Sequence, residues 1–324
     1  MEYIKNLALL LLTIIILLIA GEGILSTGYF DGLDNPKAIW IPEKYKKLDR
    51  EINLRNFEFS AKNKLWFNDK DRTQQKPLGI EYRVAVLGDS FIFGDGVAYD
   101  VIWSHKLEKS ITKNYPKIEV LSWGRNGWST KQQYGFLKKR GVHFNIDLLI
   151  LGFVTNDLPR KQKQKTLKWQ TQGFFRILHG VLPNTLDFLS AYINTFLKQY
   201  VLTDYGYTSW ENNLYTAENL KKYKNLLAEF AGFCQEKNIN LIVALTPNTY
   251  HKTFREKFDK VIPLLEENQI AYIDLYPEVY EKLNAYSFQE LRANPANGHP
   301  GNLVTQVYAD KVFSELTRRD LLRQ

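Results

Sequence analysis

The 324-residue sequence has one cysteine, Cys234, and five histidines. A single thiol forms no intrachain disulfide and builds no thiolate zinc site. No His-Glu-x-x-His or clustered Cys/His spacing occurs, so neither a metal nor any other cofactor is expected. A phosphate-binding loop is lacking as well: Gly94 and Gly96 follow an apolar run, but no Gly-Lys-Ser/Thr does, and the glycine spacing does not suit a dinucleotide. Nucleic-acid-binding motifs are also missing, and the net charge of +8 is modest and spread over the chain. What is present is an ordinary globular composition, 44% hydrophobic and 14% aromatic, with enough apolar material for a large core.

The one long apolar run is at the start. Leu7 to Ala20 holds fourteen residues without a charge, between Lys5 and Glu22. A bilayer crossing takes about 20 residues, so residues 4–25 can span if Lys5 and Glu22 snorkel toward headgroups. A cleaved signal peptide and a buried core helix are the competing readings. The first has a poor cleavage site, because Leu18-Ile19-Ala20 lacks a small residue two positions before Ala20. The second would have to hide a wholly aliphatic helix. A retained single-pass anchor is the preferred reading. Glu22, Asp31 and Asp34 precede Lys37 on the far flank, which puts the body outside the cytoplasm, on the periplasmic or extracellular face.

Residues 26–80 are expected to be a lead-in packed on the main domain. Gly28, Gly32, Pro36, Pro42 and Pro77 discourage long elements there, and Lys64–Phe67 could form a strand. From residue 81 to 324 the chain alternates apolar runs with helical periodicity. Strands are expected at Tyr82–Leu87, Glu119–Trp123, Asp147–Leu151, Asn240–Leu245 and Ile270–Leu275. Helices are expected near Trp103–Ile111 with Asp100 as cap, Thr130–Arg140, Thr216–Cys234, His251–Glu267 and Leu303–Leu316. Cys234 falls on the apolar stripe of its helix. His105 and His251 read as helix-surface residues, and His143 and His179 have no evident partner. Residues 158–215 break the rhythm and read as an insertion, with short helices near Phe174–Leu178 and Leu186–Leu197. The fold class is α/β, a three-layer α/β/α sandwich on a mainly parallel five-stranded sheet, plus an N-terminal transmembrane helix.

Ligands of such sheets bind at the carboxyl ends of the strands. Gly88-Asp89-Ser90 follows the first strand, Gly124 ends the second, and Gly152 to Asp157, with Thr155-Asn156-Asp157, follows the third. Asn297-Gly298-His299-Pro300 precedes the last helix. A serine at a strand exit exposes its hydroxyl beside backbone N–H groups. A glycine lets the chain aim an N–H at a ligand, and an asparagine donates without adding charge.

This ordered set resembles the SGNH, or GDSL-type, esterase and lipase superfamily over about residues 82–316, as a membrane-anchored bacterial member. The resemblance implies Ser90 as nucleophile and His299 as general base. It implies an oxyanion hole made of the Ser90 N–H, the Gly124 N–H and the Asn156 side chain. Serine needs such a base, and the tetrahedral intermediate needs such donors. The family's Asp, two or three residues before the histidine, is replaced by Asn297 and Ala296. Asn297 can orient the imidazole but cannot offset its positive charge, and Asp89 lies too close to Ser90 to take that role. A serine esterase removing small acyl groups from a cell-envelope glycan is therefore expected, through an acyl-enzyme. An O-acyltransferase and a weak or inactive glycan-binding protein are the alternatives. Arg160, Lys161, Lys163, Lys165 and Lys168 place five cations in nine residues just after Asn156, a candidate surface for an anionic polymer or lipid headgroup.

Overall fold

The computed structural model describes residues 2–27, 41, 43–159, 165–169 and 172–322. In chain order the helices and strands begin with α1 (Glu2–Ser26), α2 (Glu43–Ala61), β1 (Tyr82–Gly88), α3 (Ser90–Phe93) and α4 (Trp103–Asn114). Next come β2 (Ile118–Gly124), α5 (Thr130–Lys139), β3 (Leu148–Phe153), α6 (Gly173–Val181), α7 (Pro183–Tyr200) and α8 (Tyr207–Asn212). The chain continues through α9 (Ala217–Glu236), β4 (Asn240–Leu245), α10 (Lys252–Glu267), β5 (Ala271–Asp274) and α11 (Tyr276–Leu283). It closes with α12 (Phe288–Leu291), the short strands β6 (Arg292–Asn294) and β7 (Asn297–Pro300), and α13 (Asn302–Arg318).

Two compact units emerge: residues 1–49 with 163–210, and residues 50–162 with 211–324. The larger unit contains a five-stranded sheet in the order β2-β1-β3-β4-β5, every pair parallel. The chain steps from β1 outward to β2 and then crosses back to β3. The strand order therefore reverses between β1 and β3, the place where open α/β sheets leave a crevice at the carboxyl ends. β1 and β3 are buried along their whole length, which explains the apolar runs Val84–Leu87 and Leu148–Leu151. One face carries Val84, Val86, Leu148 and Ile150 against Trp103, Leu107 and Ile111 of α4 and Val304, Tyr308 and Val312 of α13. On the other, Trp123 meets Phe136 of α5, and Phe153 meets Tyr223 of α9 and Phe258 of α10. Cys234 is buried on the α9 stripe, and burial pushes its thiol up to about 12.

Arg83 is the exception within β1. It has no exposed surface, yet its guanidinium reaches Glu119, its register partner on β2, at 2.6 Å. Its remaining N–H groups donate to the carbonyls of Thr73, Gln74, Gln75 and Phe144. A buried cation needs such complete satisfaction.

The smaller unit holds α1, a helix long and apolar enough to cross a membrane, with mean hydropathy 2.6 over its most apolar 18 residues. Glu22, read in the sequence as a snorkelling charge, accepts from the N–H groups of Asn184 and Thr185 and from the Asn184 side chain at 2.8–3.2 Å. It thus caps α7, whose first residue is a proline and whose opening N–H groups have no intrahelical acceptor. His179, for which the sequence offered no partner, bonds Asp187 at 3.0 Å.

Other local expectations need correction. Residues 43–61 form a 19-residue helix despite the prolines and glycines around them. Lys64–Phe67 forms no strand: Lys64 and Leu65 lie in a turn and Trp66 follows at φ +62°. Asp100 sits in a 3-10 turn, Tyr99–Val101, and α4 starts after Ile102 without a side-chain cap. Of the proposed cationic segment, Arg160, Lys161 and Lys163 lie outside the described residues. Lys165 is ion-paired to Asp204.

Candidate active site

Ser90 opens α3 immediately beyond the end of β1. The Asp89 carboxylate accepts the Phe91 N–H at 2.9 Å and so caps this single turn, and Gly94 closes it at φ +80°. The turn rests directly on the sheet edge, and two register-paired glycines make that approach feasible. A Cβ on Gly124 would lie 2.1 Å from the Phe93 nitrogen, and one on Gly88 would lie 2.4 Å from the Ile92 side chain. Gly124 is therefore sterically required where it stands, quite apart from any donation by its N–H.

His299 comes from the antiparallel pair β6–β7, 209 residues further on. Asn294 shapes the intervening turn by accepting the Ala296 N–H at 2.9 Å. The hairpin brings His299 Nε2 to 2.8 Å from Ser90 Oγ, and the ring stands edge-on to Phe91. His299 Nδ1 lies 2.5 Å from Asn297 Oδ1, which also accepts the His299 backbone N–H at 3.1 Å. Ser90, His299 and Asn297 thus form one hydrogen-bonded row. Ser90 Oγ has a second, longer contact to Asp89 Oδ2 at 3.2 Å. Burial pushes the Asp89 carboxyl up from its usual range, against the Phe91 N–H that favours its charged form.

Asn156 lies in the turn after β3, the strand beside β1. That turn is held on several sides. Asp157 accepts the Val154 N–H at 3.0 Å, and the Asp157 carbonyl accepts the Thr130 N–H at 3.0 Å. The Tyr215 hydroxyl donates to the Thr155 carbonyl at 2.8 Å, and the Thr155 hydroxyl donates to Glu211 at 2.5 Å. Lys257 pairs with the other Glu211 oxygen. A fixed loop of this kind is what a preorganised donor requires.

The sequence reading missed Asp95. Its carboxylate accepts from the side-chain amides of Asn297 at 2.7 Å, Asn126 at 2.8 Å and Asn53 at 3.1 Å. The flanking Gly94 and Gly96 both have positive φ. A Cβ on Gly96 would sit 2.5 Å from Asn297 Nδ2. The glycine pair that brackets an acid was the available signal.

His105, expected on a helix surface, is buried, stacked on Tyr99 and bonded to the Asn68 carbonyl at 2.9 Å. With Asp69 and Glu108 it forms a set of ligand-type atoms within 4.8 Å of one another. The Arg72 guanidinium engages that set, 3.0 Å from Asp69 and 3.1 Å from Glu108. Although burial opposes it, the bonds from His105, Arg72 and Lys70 hold the Glu108 carboxyl at about 2.

No protein-family model and no curated protein matches the chain. Among solved structures it is similar to an acetylxylan esterase of Geobacillus stearothermophilus at 12% identity, over 74% of this chain and 95% of that one, with a TM-score of 0.47. It is also similar to an alpha/beta hydrolase enzyme from the metagenome of Lake Arreo, at 12% identity, 76% and 98% coverage and TM-score 0.47. A member of the lipolytic protein G-D-S-L family from Veillonella parvula aligns at 14% identity, 73% and 99% coverage and TM-score 0.44.

Proposed function

We propose that this chain is a serine O-ester hydrolase of the SGNH type that removes small acyl groups by acyl-enzyme chemistry. The observation that supports it best is the row Ser90 Oγ, His299 Nε2, His299 Nδ1 and Asn297 Oδ1, with contacts of 2.8 and 2.5 Å. The 2.8 Å contact lies within the reach that proton transfer from a nucleophile to its base demands, and the 2.5 Å contact ties that base to the side chain beside it.

In this reading Ser90 Oγ attacks the acyl carbonyl as its proton passes to His299 Nε2. The carbonyl oxygen takes the negative charge and is met by the N–H groups of Ser90 and Gly124 and the Asn156 amide. Loss of one such donor typically costs about 2.7–4 kcal/mol in the transition state. The tetrahedral intermediate collapses, the C–O bond to the alcohol breaks, and the alcohol leaves with the proton from Nε2. Water then adds to the acyl-enzyme, giving its proton to the same nitrogen; the bond from the acyl carbon to Ser90 Oγ breaks, Nε2 returns that proton to Oγ, and the acid is released.

α1 anchors the chain in a membrane in this reading, with the body outside the cytoplasm. An anchored site suits a substrate that does not diffuse, an acylated envelope glycan. The test is product analysis with the full chain in lipid nanodiscs, using small nitrophenyl esters and an acetylated glycan. Release of free acetate, abolished in Ser90→Ala, is the expected result. Acetate appearing on an added glycan instead would make the chain an acyltransferase. Neither product from a folded protein would leave a binding protein and overturn the catalytic reading.

A further inference from the structure

We propose that Asp95 is a positioning residue for the Ser90–His299 pair, acting by fixing which end of the Asn297 amide faces the imidazole. This rests on the serine-hydrolase reading above and supplies what Asn297 lacks as an orienting group.

An amide has two unlike ends. With its NH2 toward His299, Asn297 would donate to Nδ1, and the ring would carry its proton on Nε2. That nitrogen faces Ser90 Oγ and could no longer accept the hydroxyl proton. An Asp-to-Asn exchange at the orienting position of a serine protease lowers turnover about 10⁴-fold for this reason. With Oδ1 toward His299, Nδ1 carries the proton and Nε2 presents its lone pair to the serine.

Two contacts select the second arrangement. The backbone N–H of His299 is only a donor, and it points at Asn297 Oδ1 at 3.1 Å. The Asp95 carboxylate is only an acceptor when ionised, and Asn297 Nδ2 donates to it at 2.7 Å. Turning the amide over would set NH2 against N–H and carbonyl against carboxylate. Both contacts would become repulsive, which the observed orientation avoids. The Asp95 bond is charge-assisted, which makes it the stronger of the two.

Asp95 is itself held in place. Asn126 and Asn53 donate to its carboxylate, the Gly96 N–H donates to Asn53 Oδ1 at 2.9 Å, and Asn294 Nδ2 donates to the Gly96 carbonyl at 2.9 Å. The Gly94-Asp95-Gly96 turn, with no room for a Cβ at Gly96, thus joins the end of the nucleophile's helix to the hairpin that carries the base. A negative charge one amide away from the ring also favours the imidazolium that forms during the reaction.

The experiment is a double-mutant cycle on ester hydrolysis by the full chain in nanodiscs, paired with ¹⁵N spectra of histidine-labelled protein. Asp95→Asn alone should lower kcat by about 100-fold, less than the full tautomer effect, with KM little changed. Asn297→Asp alone should also lower kcat, because it sets two carboxylates in contact. Asp95→Asn in the Asn297→Asp background should raise kcat, since a carboxylate beside the ring needs no orienting. A coupling factor above threefold between the two changes supports the proposal. A factor of threefold or less, the signature of a merely structural acid, overturns it.

The spectra need no substrate and separate failure of this proposal from failure of the catalytic reading. His299 should carry its proton on Nδ1 in the native chain and shift toward the Nε2 form in Asp95→Asn. An unchanged tautomer in that variant overturns the role of Asp95 whether or not any ester is hydrolysed.

Discussion

Arg83 and Glu119 face each other across β1 and β2 at the end of the sheet remote from Ser90, one guanidinium and one carboxylate joined at 2.6 Å. Glu119 also receives Arg72 at 3.1 Å, so two cations share it. Removing the fully buried member leaves the carboxylate and four carbonyls short of a donor. Arg83→Met should destabilise the larger unit by roughly 3 kcal/mol, in the range for breaking a buried pair. Urea denaturation followed by tryptophan fluorescence reads this directly, and a loss below about 1 kcal/mol would show that the network is dispensable.

The Glu108 carboxyl, held at about 2 by His105, Arg72 and Lys70, links stability to pH. A group whose folded value is depressed adds stability that is present above its ordinary value, near 4.5, and is lost as pH falls toward the folded one. Native stability should therefore drop between about pH 4.5 and pH 2. Glu108→Gln should be less stable at neutral pH and lose less over that window. Thermal melts at stepped pH check the sign. An unchanged slope would contradict it.

Gly96 and Gly124 should fail differently when given a methyl group. Gly124→Ala drives a Cβ into the backbone of α3, which must move off the sheet edge and take Ser90 with it. Gly96→Ala meets the Asn297 amide and adds left-handed strain of roughly 1–2 kcal/mol. Gly124→Ala should lose both stability and reactivity at Ser90. Gly96→Ala should keep most of its stability while its ester hydrolysis falls at least tenfold. Equal melting temperatures for the two variants would refute the distinction.

Glu22 caps α7 within the smaller unit. Glu22→Ala should loosen the first turn of α7 by about 1 kcal/mol, the scale for a charged group at a helix N-terminus. Hydrogen exchange over residues 184–188 should quicken about fivefold, while exchange in α9 stays as it was. Exchange that is unchanged at both places would remove Glu22 from that role.

Much of this was legible in the sequence wherever burial is one-sided or complete. β4 was bounded to the residue, and α9 and α13 differ from expectation only at their ends, because apolar runs and four-residue stripes report packing directly. α2 was unreadable for the complementary reason. Its buried positions include Asn56 and Ser60, and Asn56 holds the carbonyls of Gly94 and Val97 rather than an apolar face. The strands β6 and β7 have three and four residues, too few for a period to show. His299 stands out through a motif and Asp95 does not, since the Asp95 carboxylate meets Asn297, a partner 202 residues away. His105 was misplaced because its partner, the Asn68 carbonyl, belongs to a loop with no periodic signal.

In the proposed function His299 activates Ser90 as a nucleophile. Intact-mass and peptide analysis after exposing the full chain to a fluorophosphonate measures it without knowledge of the substrate. One phosphonyl group should appear, on Ser90, with the rate at least 100-fold lower in His299→Ala and no label in Ser90→Ala. A folded native protein that remains unlabelled at Ser90, or labels equally fast without His299, would contradict the account.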